Sequence, residues 1–426
     1  KSSAVAAVLR SVIEAKFAEH ANSCPRIIVI DPHGEYAAAF PRHAKVFRAY
    51  DALAQGDVGA SNLDLPYWLM SGDEFRSLVI GKTEFEATTQ ANIVYKALAH
   101  ARMVNAGLVE SALGEIPNPL PEGNVHCDEP VPCAGIDPAQ IASFDRDLPR
   151  PFKLDEFHAH IVNRQAKRLN GGAWVDIAPS DFQKEYASLL NKFRVLRGDA
   201  RIQFMMREID NNGPSLASVF AQFLTVGPNG EECVKIIDIS GLPTEVAGPL
   251  AGSIARLLFQ YKLFQSRSER ELDPILLVCE EAHRYVPDRG EAQYAVAQLA
   301  IRRIAREGRK YGLGLMLVSQ RPSDIEGTVI SQCNSWLVLR LSNSSDQAHV
   351  ARFLPDSLSG MTQTLSSLPR QEALFVGEAA ALPARVRLRT LLKEQLPDSN
   401  DISFAQGWSS GPLTAEQITA ITNRMS

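Results

Sequence analysis

The fold is decided by residues 275–283, which read ILLVCEEAH. An apolar run that ends in two acids is typical of a buried strand whose carboxyl end carries carboxylates. Ligands of open α/β sheets bind at that end of the strands. The first acid, Glu280, can hold the water shell of Mg²⁺, and the next, Glu281, can orient or deprotonate an attacking water. The same letters also suit a strand that ends in a solvated helix start, so alone they leave both interpretations open.

Similar apolar runs on both sides of this stretch predict an α/β fold with a mostly parallel sheet. Most of them are continuous rather than alternating, which is the pattern of parallel strands covered by helices on both faces. Helical stretches such as Ser2–Glu19 and Glu245–Phe264 lie between them. The predicted strands are Arg26–Asp31, Val234–Ser240, Ile275–Cys279, Leu313–Ser319, Trp336–Leu341 and Ala373–Val376.

The alternation of strands and helices breaks between Asp64 and about Gly230. Residues 114–151 are rich in Pro, Gly and Asp, which indicates a loop, and the stretches around them have a helical period. These helical stretches are Gly72–Ala106, Phe152–Leu169 and Asp181–Arg197. We expect the first part of a core at 1–63, a mainly helical insertion at 64–230, the second part of the core at 231–392, and a C-terminal tail at 393–426 with a short helix at Thr414–Asn423.

The composition excludes several classes of protein. With 426 residues, 45% hydrophobic and 22% charged, the chain can bury a large core, so wholesale disorder is excluded. The 44 basic and 49 acidic side chains give a net charge of −5, which excludes a polybasic tail for nucleic acid but allows a local basic surface. No apolar run approaches the roughly 20 residues that a membrane helix needs.

The six cysteines are ordinary usage for a chain of this length. None belongs to a quartet with zinc spacing, and we expect the closest pair, Cys127 and Cys133, to be free thiols. The setting that this usage predicts is reducing and cytoplasmic. Because the first residue is Lys1 rather than Met, we also expect the sequence to be part of a longer protein.

Lys1, Ser2 and Ser3 stand at the head of a predicted amphipathic helix. A phosphate-binding loop ends in Gly-Lys-Ser or Gly-Lys-Thr, with the Lys on the β- and γ-phosphates and the hydroxyl on Mg²⁺. Three residues are weak evidence by themselves. The strand that follows the helix supplies the context of a βαβ unit and favours a nucleotide site.

Polar residues also follow two other predicted strands. The group Asp31, His33 and Glu35 comes directly after the first strand, either as part of the same site or as a Pro-Gly turn with solvated acids. Gln320 follows the strand Leu313–Ser319. An amide there can sense a γ-phosphate or position water, although an isolated Gln is more often a plain exit from a strand.

The predicted helix Ala295–Tyr311 carries a run of basic residues. Arg302, Arg306 and Arg309 are spaced i, i+4 and i+7, so they share one face of this helix. Such a face is usually solvated. It can also present an Arg to the nucleotide of a neighbouring subunit, or contact the phosphates of a nucleic acid.

Taken together, these stretches resemble the HerA branch of the HerA/FtsK P-loop ATPases. The matching segments occur in the order of the family and span nearly the whole chain. They are KSS (1–3), IIVIDPHGEY (27–36), VKIIDISGLP (234–243), ILLVCEEAHRYVP (275–287), AREGRKYGLGLMLVSQRPSDI (305–325) and EALFVGEAAALPARVRL (372–388). The resemblance implies a RecA-like P-loop fold of the additional-strand catalytic-Glu type. It also implies a homo-hexameric, ATP-driven motor that translocates on or unwinds double-stranded DNA.

The resemblance implies roles in nucleotide and metal binding. Lys1 would be the Walker A lysine, with Ser2 and Ser3 beside it at the ATP phosphates and the Ser2 hydroxyl on Mg²⁺. Glu280 takes the Walker B metal position, where many members of the family have Asp. Because Glu reaches further than Asp, this departure can shift the water shell of the metal.

The resemblance likewise implies roles in hydrolysis. Glu281 would be the catalytic carboxylate and Gln320 the γ-phosphate sensor. Arg306 would be the finger that completes the site of a neighbouring subunit. A further group would lie near the same site, and it consists of Asp31, His33 and Glu35.

Partners follow from the resemblance as well. Members of the family work with a nuclease or a sirtuin-like effector, in DNA end processing or anti-phage defence, and without a membrane. The glycine-rich half of Walker A and the small N-terminal β-barrel of the family are not in this sequence. If a longer parent protein carries both upstream, the interpretation as a motor stands; otherwise the protein would be a degenerate, non-hydrolysing member. Two alternatives stay open, a regulatory ATP-binding ring that scaffolds an effector enzyme and a motor for conjugation or secretion. Salt-dependent DNA binding would separate the DNA motor from the regulatory ring.

Overall fold

The computed structural model of the chain describes residues 1–15, 25–50, 60–80, 84–116, 120, 126–207, 213–227, 231–288, 295–352, 360, 364–399 and 402–425. Predictions on other residues, such as the end of the predicted helix Ser2–Glu19, lie outside the described residues.

The described strands and helices follow one another in chain order. The strands are β1 (Arg26–Asp31), β2 (Ala44–Arg48), β3 (Ala60–Asn62), β4 (Lys167–Asn170), β5 (Ala173–Asp176), β6 (Val234–Asp238), β7 (Ile275–Cys279), β8 (Leu313–Leu317), β9 (Ser335–Val338), β10 (Glu372–Gly377) and β11 (Ala384–Arg387). The helices are α1 (Ser2–Glu14), α2 (Gly72–Ile80), α3 (Glu84–Asn105), α4 (Pro138–Ala142), α5 (Leu154–His160), α6 (Pro179–Phe182), α7 (Ser188–Gly198), α8 (Gln203–Met206), α9 (Leu216–Leu224), α10 (Thr244–Leu263), α11 (Arg267–Leu272), α12 (Ala295–Glu307), α13 (Gly327–Ile330), α14 (Ser344–Ala351), α15 (Phe404–Ser409) and α16 (Ala415–Met425).

Six strands form one parallel sheet in the order β3-β2-β6-β1-β7-β8. The central strands β1, β6 and β7 are buried along almost their whole length, because apolar clusters cover both faces of the sheet. This burial is the physical reason for their continuous apolar sequences. All six strands run the same way, so the residues that follow them meet at one edge of the sheet.

The predicted fold class is confirmed. Strands β1 and β7 occupy the predicted residues, and β6 and β8 each end two residues before the predicted end. The sequence groups the last two predicted strands with the parallel ones, and this grouping is wrong. Strands β9 and β10 join β11 in a separate antiparallel sheet. A short apolar run does not reveal its partner, because both kinds of sheet bury such runs against helices.

Several short strands are absent from the prediction. Strands β2, β3, β4, β5 and β11 are largely exposed or half-buried, so they contain no continuous apolar run. The predicted helix Phe152–Leu169 is wrong at its end. The chain leaves α5 through a π-helical turn at Ile161–Gln165 and enters the hairpin of β4 and β5.

The helices between β3 and β6 pack on the core that the parallel sheet builds. Apolar side chains of α2, α3, α5 and α7 belong to the same buried cluster as those of α10. A partly buried ion pair also joins the two parts, with Arg256 Nε of α10 2.7 Å from Glu74 Oε1 of α2. On its other side, α10 packs closely against α12. A Cβ added at Gly252 of α10 would lie only 2.8 Å from Ala297 Cα of α12. This contact fixes the helix that carries Arg306.

Candidate active site

Four segments bring polar side chains to the carboxyl edge of the parallel sheet. Lys1 precedes α1, the loop 31–36 follows β1, Glu280 and Glu281 follow β7, and Gln320 follows β8. Backbone hydrogen bonds keep these ends in register, since the N–H of Glu280 donates to the carbonyl of Ile30 at 3.2 Å. The arrangement is the one expected of a ligand site in an open α/β sheet.

Lys1 lies between the two acids that follow β7. Its Nζ is 2.6 Å from Glu280 Oε1 and also forms an ion pair with Glu281 Oε1. Both carboxylates are buried, and burial of such charges requires a compensating partner. Burial opposes the ionisation of Glu281, but Lys1, together with His283 and Gln320, outweighs it and lowers the pKa of Glu281. The carboxylate is therefore ionised at neutral pH.

Glu281 has an unusual backbone and a closely held side chain. Its φ of 51° and ψ of 48° place it in the left-handed region, which costs free energy for a residue with a side chain. Gln320 Nε2 donates to Glu281 Oε1 at 3.1 Å. On the other side, His283 Nδ1 lies 3.2 Å from Glu281 Oε2 and 3.1 Å from Ser319 Oγ. Residues from three chain segments thus fix this carboxylate.

The loop after β1 is organised by Asp31. Its carboxylate accepts hydrogen bonds from the backbone N–H groups of His33 (3.1 Å), Gly34 (3.0 Å) and Tyr36 (3.0 Å). Burial raises the pKa of Asp31 to about 6, although these backbone hydrogen bonds oppose the rise. Gly34 has a φ of +68°, which favours glycine at the turn. Asp31 therefore stabilises the conformation of the loop, since both of its carboxylate oxygens accept backbone hydrogen bonds.

The same loop presents Glu35 to the head of α1. The hydroxyl of Ser2 donates to Glu35 Oε2 at 2.7 Å. The structure thus brings together most of the predicted site residues at one edge. They are Lys1, Ser2, Asp31, Glu35, Glu280, Glu281 and Gln320.

The side chains of three predicted site residues form no hydrogen bond or ion pair with the described residues of this cluster. Ser3 and His33 are exposed, and within the described residues no hydrogen bond of either side chain is recorded. Arg306 is exposed on α12 and has no ion pair with any residue that the structure describes. The other two arginines of the predicted face are paired. Arg302 pairs with Glu326, and Arg309 pairs with Glu378 at 3.1 Å. The predicted helix Ala295–Tyr311 is too long at its end, because α12 stops at Glu307 and Arg309 lies in the 3₁₀ turn Gly308–Tyr311.

Two residues of the cluster carry no role in the sequence prediction. Tyr36 donates its hydroxyl hydrogen to Glu280 Oε2 at 2.8 Å, and His283 contacts Glu281 as described above. A signal was available for His283, since it follows the two acids in the same motif. Tyr36 offers none, because an aromatic residue after a turn is usually core.

The donor set fits a nucleotide and Mg²⁺. The metal takes hard oxygen ligands and is bound through only one or two protein groups, with phosphates and water completing its shell. Ser2 and Glu280 offer such oxygens beside the Lys1 ammonium. In keeping with so few protein ligands, no group of three or more His, Cys, Asp or Glu suited to a metal occurs among the described residues.

The fold and this edge define a class of protein, the P-loop ATPases with a parallel RecA-like sheet. Within that class, the family model described as "Helicase HerA, central domain" matches residues 1–138. The resemblance to HerA stated from the sequence is thereby confirmed, as a similarity to this family over residues 1–138.

Named relatives support the same family. The DNA double-strand break repair helicase HerA of Pyrococcus furiosus is 32% identical over 182 residues, which cover 36% of this chain and 32% of that protein. The probable DNA double-strand break repair helicase HerA of Methanocaldococcus jannaschii is 39% identical over 115 residues, which cover 27% of this chain and 22% of that protein. The matches to these two relatives thus span a third of their length or less.

A solved structure, VirB4 of Thermoanaerobacter pseudethanolicus, aligns with a TM-score of 0.49 at 13% identity, covering 92% of this chain and 87% of that one. Among the described helices, none combines the length and apolar character that crossing a membrane requires.

Proposed function

We propose that the protein hydrolyses ATP with Mg²⁺ and uses the energy to translocate on or unwind double-stranded DNA. One observation carries this proposal: a lysine and two carboxylates converge with Gln320 at the carboxyl edge of the parallel sheet. The matched relatives named as DNA repair helicases support DNA as the substrate.

The residues divide the chemistry among them. Lys1 supplies positive charge for the phosphates, and Ser2 and Glu280 would hold Mg²⁺, which neutralises the charge that develops on them. Glu281 is ionised, so it can accept the proton of an attacking water. Gln320 donates a hydrogen bond to Glu281, so it can couple the presence of the γ-phosphate to the position of this carboxylate.

The exposed guanidinium of Arg306 supports a ring of identical subunits. A trans-acting arginine has to be free of partners in its own subunit, and Arg306 has no ion pair with the described residues. We propose a homo-hexamer in which each Arg306 faces the nucleotide of the next subunit. A nuclease or sirtuin-like effector in DNA end processing or anti-phage defence is the partner that the family resemblance suggests.

The test is ATP turnover of the full-length protein with and without linear double-stranded DNA. We expect DNA to raise turnover, and Glu281→Gln to lower kcat by about 10²–10⁴ because it removes the proton acceptor. Glu115→Gln, an exposed acid in the loop of the insertion, is the matched control and should leave kcat unchanged. Turnover that responds to a partner protein but not to DNA would favour the regulatory ring. Absence of Mg²⁺-dependent turnover would overturn the proposal.

A further inference from the structure

Two fully buried tyrosines lie in the neighbourhood of Glu280, and only one of them contacts it. The hydroxyl of Tyr36 donates to Glu280 Oε2 at 2.8 Å. The hydroxyl of Tyr285 is buried as well, yet it has no hydrogen-bond partner among the described residues. Buried tyrosine hydroxyls normally find a hydrogen-bond partner, and the partner of Tyr36 is a carboxylate of the candidate site.

The chain holds Tyr36 firmly in this position. Its backbone N–H donates to Asp31 Oδ2 at 3.0 Å, so the loop that Asp31 organises also sets the place of this residue. The aromatic ring belongs to the apolar cluster on one face of the sheet.

This hydrogen bond gives the two oxygens of Glu280 different surroundings. Oε2 accepts from Tyr36, whereas Oε1 lies 2.6 Å from the Lys1 ammonium, on the side of the predicted phosphate site. A glutamate has one more rotatable bond than an aspartate, and a free side chain would lose more entropy on binding.

We propose that Tyr36 is a positioning residue that orients the Glu280 carboxylate toward Mg²⁺, an inference that rests on the proposed function. By holding Oε2, Tyr36 aims Oε1 at the metal and offsets the extra freedom of a glutamate in this position. Partners that orient a metal ligand are worth about 10–100-fold in metal affinity or activity. The competing explanation is that the hydrogen bond only stabilises the fold, and the two explanations differ in their effect on Mg²⁺.

The experiment compares Tyr36→Phe with Tyr285→Phe in the full-length protein. Both changes remove one buried hydroxyl near Glu280, but only the first removes a hydrogen bond to it. Binding of a fluorescent ATP analogue is titrated with Mg²⁺ in a Glu281→Gln background, so no turnover is required. We expect Tyr36→Phe to raise the Mg²⁺ concentration for half-maximal binding about 10-fold or more, and Tyr285→Phe to leave it unchanged.

A second background separates positioning from stability. An aspartate at position 280 is shorter and loses the contact with Tyr36, so Tyr36→Phe should have little further effect on Mg²⁺ in a Glu280→Asp protein. An equal shift in both backgrounds, or equal behaviour of the two tyrosine variants, would overturn the inference while leaving the proposed function intact. A wild-type protein whose nucleotide binding ignores Mg²⁺ would overturn both.

Discussion

The carboxyl edge of the parallel sheet and the helical region between β3 and β6 bury their polar groups in opposite ways. At the edge, the Lys1 ammonium and the Glu280 carboxylate form an ion pair, with Lys1 Nζ 2.6 Å from Glu280 Oε1. In the helical region, His100 and His160 stack with ring centroids 4.3 Å apart, and neither ring nitrogen of His100 has a partner among the described residues. Burial lowers the pKa of both histidines, to about 2 and about 3, so they are neutral.

The difference indicates where we expect the chemistry to take place. Buried charges are costly and remain only where partners compensate them, which is the situation at the edge. Neutral rings in the helical region contribute packing and can be replaced by apolar rings of similar shape. We therefore expect substitutions at the edge to change turnover, and substitutions in the helical region to change stability.

The largest expected effect tests whether the edge is complete within one subunit. Arg306→Ala should lower kcat by about 10³–10⁵, because a trans-acting arginine stabilises charge in the transition state. ATP binding in its own subunit should be unchanged, since Arg306 is exposed and has no ion pair with the described residues of the Lys1 cluster. The measurement is steady-state ATP turnover, together with turnover of rings mixed from Arg306→Ala and Glu281→Gln subunits.

Mixed rings make this prediction sharp. If Arg306 acts in the neighbour's site, a mixture of the two inactive variants should regain turnover, because some sites then combine an intact Glu281 with an intact Arg306. Arg309→Ala is the control from the turn that follows α12, since Arg309 is exposed and pairs with Glu378. No recovery in mixed rings, or an equal loss with Arg309→Ala, would contradict the trans role.

The second prediction concerns the pH dependence of folding stability, to which the two regions contribute with opposite signs. The pKa of His100 is lowered by burial, with smaller contributions from His160 and Arg164, so its contribution to stability is complete above its unfolded pKa of about 6.5. That contribution is lost as the pH falls from there toward the folded pKa, and amounts to about 2 kcal/mol at pH 5. Asp31 has the opposite sign, because its raised pKa of about 6 means that acidification relieves a cost.

The measurement is the free energy of unfolding in urea at pH 7.5 and pH 5.0. His100→Phe keeps a buried ring and should reduce the loss of stability between these pH values by about 2 kcal/mol. His126→Asn, a change at an exposed histidine, should leave the loss unchanged. If wild type and His100→Phe lose the same free energy, the neutral buried state of His100 is wrong.

The same contrast explains how far the sequence predicts the structure. The edge was predictable because its residues follow apolar strands directly, as Glu280 and Glu281 follow Ile275–Cys279. Parallel topology then brings them together with Gln320, although they are far apart in the chain. The hydrogen bond from Tyr36 to Glu280 was not predictable, since it depends on the path of the loop after β1.

In the helical region, only the predominance of helices was predictable. Amphipathic periods indicate helices, but the hairpin of β4 and β5 has no strong apolar alternation and was predicted as the end of a helix. The stacking of His100 on His160 joins α3 to α5, which are separated by a long loop, and no local pattern specifies such a contact. The antiparallel sheet of β9, β10 and β11 escaped prediction for a similar reason, since pairing partners are set by packing.

The smallest expected effect is that of His283 on the Glu281 carboxylate. It measures how strongly the neighbouring side chains fix the position of this carboxylate. Lys1 and Gln320 both contact Oε1 of Glu281, and His283 lies beside Oε2. Burial lowers the pKa of His283, so the ring is neutral near pH 7, and its Nδ1 lies 3.2 Å from Oε2, within reach of a hydrogen bond. His283→Ala should lower kcat about 10-fold with little change in the KM for ATP, because it leaves binding intact and loosens one oxygen. His283→Asn places an amide near the position of Nδ1 and should recover most of the loss.

Equal activity of the Ala and Asn variants would mean that the left-handed backbone of Glu281, together with Lys1 and Gln320, already fixes the carboxylate. A loss shared by kcat and stability in both variants would instead assign His283 to the packing of the edge, and the edge would then resemble the helical region more than its charges suggest.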